Sequence, residues 1–188
     1  MVSMKIGVYG SAAGGIGSSA REAAREVGKE IARLGHTVVT GACPGLPQEA
    51  VLGANELGGE CIGFSPAFDR ETHVSRDNFP VDGFREIRFI PRDFTYAGDS
   101  LVCRKLRNIL SVSFVDCGII VGGRTGTLNE FTLLYDLGKN IGVLENTGGI
   151  TTNVIRTFLD DIQADKNRGS KIFWNSDPKA LVNDLTSA

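Results

Sequence analysis

The sequence predicts an α/β fold in which a parallel sheet is doubly wound, with helices on both faces. Three observations predict it. Short apolar runs alternate with longer amphipathic stretches, the pattern of strand–helix–strand crossovers. Glycine-rich turns follow three of the strands, at residues 10–17, 41–46 and 122–127. The chain has 188 residues, 41% hydrophobic and 22% charged, which is the make-up of one ordinary globular domain. The expectation is a Rossmann-like, three-layer α/β/α unit over residues 1–188, with no internal repeat and no linker.

Residues 5–9 are the first strand, running into the turn Gly10-Ser11-Ala12-Ala13-Gly14-Gly15-Ile16-Gly17. The helix that follows has an apolar stripe of Ala20, Ala23, Ala24, Val27, Ile31 and Leu34 at helical spacing, and Ser19 with Glu22 predicts a capping box at its start. Gly35 stops it, and residues 37–40 are the second strand. Pro47 is placed as the first residue of a helix that ends near Gly58, and residues 60–64 are the third strand. Residues 65–85 are polar and broken by proline, which suits a lid or an edge excursion with His73 within it. Residues 86–90 return as a strand.

Residues 99–114 predict a helix whose buried stripe is Val102, Leu106, Ile109 and Leu110. Residues 118–121 are wholly apolar and predict a central strand. After the third glycine turn come a helix to Gly138, a strand at 141–144 and a helix from about Thr152. A weak strand at 171–174 precedes a last helix, opened by Asp177 as cap and Pro178 at its first position.

Composition narrows the function. A formal charge of −2 provides no basic field, so no nucleic-acid partner is expected. Cys43, Cys61, Cys103 and Cys117 form no C-x-x-C pair and predict buried reduced thiols. His36 and His73 are the two histidines, too few for a histidine metal centre, and His36 suits a helix-to-strand turn. No signal peptide is expected at the start, and no apolar run nears the ~20 residues of a membrane span. A cytoplasmic protein with no metal and no membrane partner is the expectation.

In an open parallel sheet, the loops at the carboxyl ends of the strands lie together. Three glycine turns there predict a ligand site, because glycine lets backbone amides approach a phosphate. A nicotinamide cofactor is disfavoured. The G-x-G-x-x-G spacing is absent, and no acidic residue closes the second strand. Tyr135 and Lys139 form a Tyr-x-x-x-Lys, but the tyrosine belongs to the core stripe Phe131, Leu134, Tyr135. Gly123, Thr125, Gly126 and Thr127 would present amides and hydroxyls at a helix N-terminus, a ready anion site. Glu130 has two readings: Thr127-x-x-Glu130 is a capping box, and the same carboxylate is placed to act on a ligand.

Gly-Gly-x-x-Gly-Thr-x-x-Glu at residues 122–130 resembles the Pro-Gly-Gly-x-Gly-Thr-x-x-Glu motif of the LOG family. These are the cytokinin riboside 5′-monophosphate phosphoribohydrolases, often mislabelled lysine decarboxylases. The likeness extends to Arg107-Asn108 nine residues before Asp116, to Leu137-Gly138-Lys139, to Gly148-Gly149, and to the first two glycine turns. It covers roughly residues 4–64 and 100–186. Gly122 stands for the motif's proline, Arg124 for its second glycine and Asn108 for the lysine after the arginine. The stretch 65–95 is longer and different. These departures resemble a sister branch that includes the molybdenum cofactor carrier proteins.

The resemblance implies Arg107 and Glu130 as the catalytic pair. The arginine would orient phosphate or ribose, and the glutamate would stabilise an oxocarbenium-like transition state or activate water. It implies substrate binding by Gly10, Ser11, Gly41, Gly45, Asn108, Gly122, Gly123, Arg124, Thr125, Gly126 and Thr127, with Arg124 and Asn129 tuning ligand choice. It implies a nucleoside 5′-monophosphate phosphoribohydrolase that needs no cofactor. The alternative is a non-catalytic carrier or sensor of an AMP-like nucleotide or a molybdopterin. A homodimer is implied as well.

Overall fold

The computed structural model describes residues 3–161 and 169–188. Seven strands are described: β1 (Lys5–Gly10), β2 (Thr37–Thr40), β3 (Cys61–Phe64), β4 (Glu86–Arg88), β5 (Cys117–Val121), β6 (Asn140–Leu144) and β7 (Ile172–Asn175). They form one sheet in the order β4-β3-β2-β1-β5-β6-β7, with every neighbouring pair parallel. The helices are α1 (Ser18–Arg33), α2 (Leu46–Glu56), α3 (Arg70–Ser75), α4 (Ser100–Phe114), α5 (Thr125–Asp136), α6 (Val154–Asp161) and α7 (Pro178–Thr186), with a 3-10 turn at Gly149–Thr151. This is the three-layer α/β/α, Rossmann-like arrangement that the alternation predicts. The strand order reverses at β1, which lies between β2 and β5, so a crevice opens at their carboxyl ends.

Alternation along the strands divides the core into two layers. Ile6 and Val8 of β1, with Cys117, Ile119 and Val121 of β5, face α1, α2 and α7. Tyr9 and Ile120 point the other way, among residues of α4, α5 and α6. Both faces are covered, which is why β5 is apolar throughout. Val27 and Ile31 of α1 are fully buried in the first layer, a contribution of about 1.5–3 kcal/mol each.

Several local expectations change. Helix α1 begins at Ser18 behind Gly17, so Ser19 falls inside the first turn and makes no cap; the predicted Ser19–Glu22 box is absent. Pro47 is the second residue of α2, one place later than predicted. Helix α4 lies where predicted, with the Asp99 carboxylate accepting the Leu101 and Val102 amides, but it is rotated. It buries Cys103, Arg107, Asn108, Ser111 and Val112, while Ile109 and Leu110 are exposed. The reason is what lies beneath it: the Tyr9 hydroxyl of β1 bonds to Ser111 Oγ at 3.0 Å, so this helix covers a polar cavity.

The stretch 65–85 runs from β3 out to the edge strand β4, with Ser65, Pro66, Ala67 and His73 buried and the rest half-buried or exposed. His73 is wholly buried, and its Nε2–H donates to the Pro80 carbonyl at 3.0 Å. Ser65 Oγ, 2.8 Å from Nδ1, takes the Ala67 amide as well. The predicted strand at 86–90 shortens to β4 at the sheet edge. All four cysteines are buried and free. Among the described residues, no helix is long and apolar enough to cross a membrane.

Candidate functional site

The three glycine turns meet at Ser11. Its carbonyl accepts the Leu46 amide at 2.9 Å, and its hydroxyl accepts the Gly123 amide at 3.0 Å. The turn after β1 is therefore bonded to the turns after β2 and β5. Gly123 has φ +95°, and a Cβ there would lie 2.4 Å from the Thr127 Cβ, so both backbone and space require glycine. The chain then enters α5 at Thr125, with Arg124 at the cap position and no side-chain cap. Thr125, Gly126 and Thr127 are thus the first turn of the helix. Their amides have no intrahelical acceptors, and the positive end of the helix dipole lies there.

The capping-box reading of Glu130 does not hold. Arg124 occupies the cap, three places before Thr127, and among the described residues no hydrogen bond reaches the Glu130 carboxylate. Glu130 instead faces a cavity of about 710 Å³ at the switch point, which it shares with Arg107, Asn108, Tyr9 and Cys43. It is 6% exposed. Burial pushes its carboxyl up to about 7, against the pull of Arg107 and Lys105. Burial likewise raises the Cys43 thiol, with Arg107 opposing.

Arg107 comes from the buried face of α4. Its guanidinium lies against the chain at Gly41, where a Cβ would sit 1.3 Å from Nη1. Nε and Nη1 are both buried without a partner. Asn108 gives its Nδ2–H to Asn129 Oδ1 at 3.1 Å, while its own Oδ1 is buried and unpaired. Beside the cavity, two donors of Arg107 and one acceptor of Asn108 are therefore desolvated without a partner. Its ionisable lining is unbalanced: Arg104, Lys105, Arg107 and Arg124 face Glu130 alone among carboxylates. A chain with a formal charge of −2 concentrates cations here.

Of the residues singled out in the sequence, Gly10, Ser11, Gly41, Arg107 and Asn108 line this cavity. So do Arg124, Thr125, Gly126, Thr127 and Glu130. Gly45, Gly122 and Gly123 do not. Gly45 caps α2 against the Ser11 carbonyl, and the Gly122 amide donates to Thr147 Oγ1 at 2.8 Å. Gly123 borders a second cavity of about 420 Å³ beyond Arg124, whose Nη2 donates to the Ala13 carbonyl at 3.3 Å. Sequence reasoning missed Tyr9, Cys43, Phe79 and Lys105. Lys105, two residues before Arg107, was the one with a visible signal. Neither member of the Tyr-x-x-x-Lys pair lines the cavity: Tyr135 is core, 4% exposed, and the half-buried Lys139 ammonium donates to the carbonyls of Ser113 (3.0 Å) and Val115 at the end of α4.

The model of the SLOG cluster4 family matches residues 3–182. The chain belongs to that family. An uncharacterised protein of Archaeoglobus fulgidus is 30% identical to this SLOG chain over 142 residues, covering 76% of it and 80% of the relative. The X-ray structure of the structural-genomics target TM1055 superposes with TM-score 0.79 at 21% identity, over 98% of this chain and 99% of that one. The molybdenum cofactor carrier protein of Chlamydomonas reinhardtii superposes with TM-score 0.74 at 22% identity, over the whole of both chains. Similarity at this identity establishes the fold.

Proposed function

We propose that this SLOG protein binds a nucleoside 5′-monophosphate and hydrolyses its N-glycosidic bond. Arg107 carries the reading. It is a buried guanidinium with two unpartnered donors, in the same cavity as a carboxyl held near neutrality and an uncapped helix N-terminus. The phosphate sits on the amides of Thr125, Gly126 and Thr127, and the ribose lies between Arg107 and Glu130. Asn108 Oδ1 accepts from a ribose hydroxyl. Glu130, titrating at about 7, is partly ionised at neutral pH. As the base departs, the C1′–N bond breaks and water oxygen bonds to C1′. Glu130 takes a proton from that water, and the leaving base nitrogen is protonated from solvent. General-base assistance of this kind is worth about 10²- to 10⁴-fold.

The test is incubation with AMP and N6-substituted AMP, following free base by chromatography. Release is expected from the wild type and is lost in Glu130→Ala. No release above that control overturns hydrolysis.

One observation favours a second reading, a carrier that holds a phosphorylated pterin or nucleotide without turnover. Asn108 and Arg124 stand where the hydrolase motif has lysine and glycine. Native mass spectrometry of the protein as purified separates the two. A retained pterin or nucleotide mass supports carriage; protein that arrives empty and takes up neither in titration removes it.

A second copy of the chain is the proposed occupant of the outer face of α4. Leu101, Ile109 and Leu110 are 67%, 48% and 36% exposed there, and Leu101 also lines the cavity. A partner seated on this face would close the cavity's mouth.

A further inference from the structure

The excursion between β3 and β4 contributes one side chain to the cavity, Phe79, and the fold spends a wholly buried histidine on fixing it. Asn78, at φ +51°, turns the chain back at the end of α3. The Phe79 amide donates to the His73 carbonyl at 3.2 Å. The His73 ring packs edge-on to the Phe79 ring, with centroids 5.6 Å apart and planes at 83°. The next residue is held as well, because His73 Nε2–H donates to the Pro80 carbonyl. A carbonyl accepts only, so Nε2 carries a hydrogen, and Nδ1 lies 2.8 Å from the Ser65 hydroxyl. Backbone and ring on both sides of Phe79 are thus tied to one interior residue.

The cavity's lining is of two kinds. The α5 amides, Arg107 and Glu130, with Arg104, Lys105, Asn108 and Arg124, are polar or charged, whereas Phe79, Leu101, Pro44 and Pro47 are apolar. A ligand that satisfies both has an anionic group and a flat apolar part, and an aromatic wall favours a flat heterocycle because ring faces stack.

We propose that Phe79 is the stacking platform for the heteroaromatic ring of the phosphate-bearing ligand, and that His73 is the positioning residue that sets it. The inference rests on the phosphate-ligand reading above and adds the element that selects a nucleotide or pterin phosphate over a bare sugar phosphate.

The experiment is calorimetric titration of the wild type, Phe79→Ala, Phe79→Trp and His73→Gln with three probes. These are formycin 5′-monophosphate (an AMP analogue whose C-glycosidic bond resists hydrolysis), neopterin monophosphate and ribose 5-phosphate. Phe79→Ala is expected to weaken the ring-bearing probes about tenfold or more and leave ribose 5-phosphate unchanged. Phe79→Trp restores them, and His73→Gln lies between. The tighter ring-bearing probe identifies purine or pterin. Equal weakening of all three probes by Phe79→Ala, or of none, overturns the platform, as does a Phe79→Trp protein that binds like Phe79→Ala. Wild type that binds ribose 5-phosphate as tightly as the ring-bearing probes overturns the platform and leaves the phosphate reading intact. Wild type that binds none of the three overturns both.

Discussion

Glu130 is a carboxyl that α5 carries into the interior, with cations near but no hydrogen bond to hold its charged form. Its folded value is about 7 against an ordinary 4.5. Between those values the native state keeps a proton that the unfolded chain has released. The contribution is therefore fully present below pH 4.5 and is lost as pH rises through 7, by about 3 kcal/mol at most. Glu130→Gln should flatten that slope, which urea unfolding at pH 5 and pH 8 measures. A second prediction concerns Gly41. Ala at this position displaces the Arg107 guanidinium while the sheet stays intact, and each lost charge-assisted bond is worth about 1.5–3 kcal/mol. Affinity for a phosphorylated ligand should fall tenfold or more at nearly constant melting temperature, read by paired calorimetry and thermal denaturation.

Helix α4 shows where an element's sequence stops determining its setting. Its length was legible to within a residue, because periodicity is local. Its rotation was not. The rule that places the apolar stripe inward assumes an apolar neighbour, and here the neighbour is the Tyr9 hydroxyl of β1, which bonds to Ser111 of α4 itself. The capping boxes failed for a related reason: a shift of two or three residues in a helix start moves Ser19 or Thr127 past the cap. The outward stripe of α4 gives this scale its prediction. If a second copy covers it, Ile109→Glu with Leu110→Glu should yield a monomer by light scattering, whereas the wild type runs as a dimer. A monomeric wild type removes that interface.

At the scale of the whole molecule, the alternation of strands and helices and the three glycine turns announced both the fold and the edge where the cavity lies. Arg107 and Glu130 were marked by resemblance to a motif, and the structure places them in one cavity. Phe79 was illegible, since it comes from an irregular excursion and reaches the cavity through contacts that only the folded chain makes. Binding at the switch point acts on the native state alone. Ribose 5-phosphate at a hundredfold excess over its Kd should therefore stabilise the protein by about 2.7 kcal/mol. For a chain of this size that raises Tm by about 5–10 °C in scanning calorimetry.

Ser11 has a consequence in time as well as in space. One residue holds the amide that opens α2 and the amide that precedes α5, so neither turn can open to solvent without disturbing the bond to the other. The amide hydrogens of Leu46 and Gly123 should then exchange with deuterium as a pair. Filling the cavity should slow both together, although they are far apart in the chain. Ser11→Ala removes the hydroxyl and keeps the carbonyl, and should uncouple them: Gly123 exchanges fast whether or not ligand is bound, while Leu46 keeps its protection.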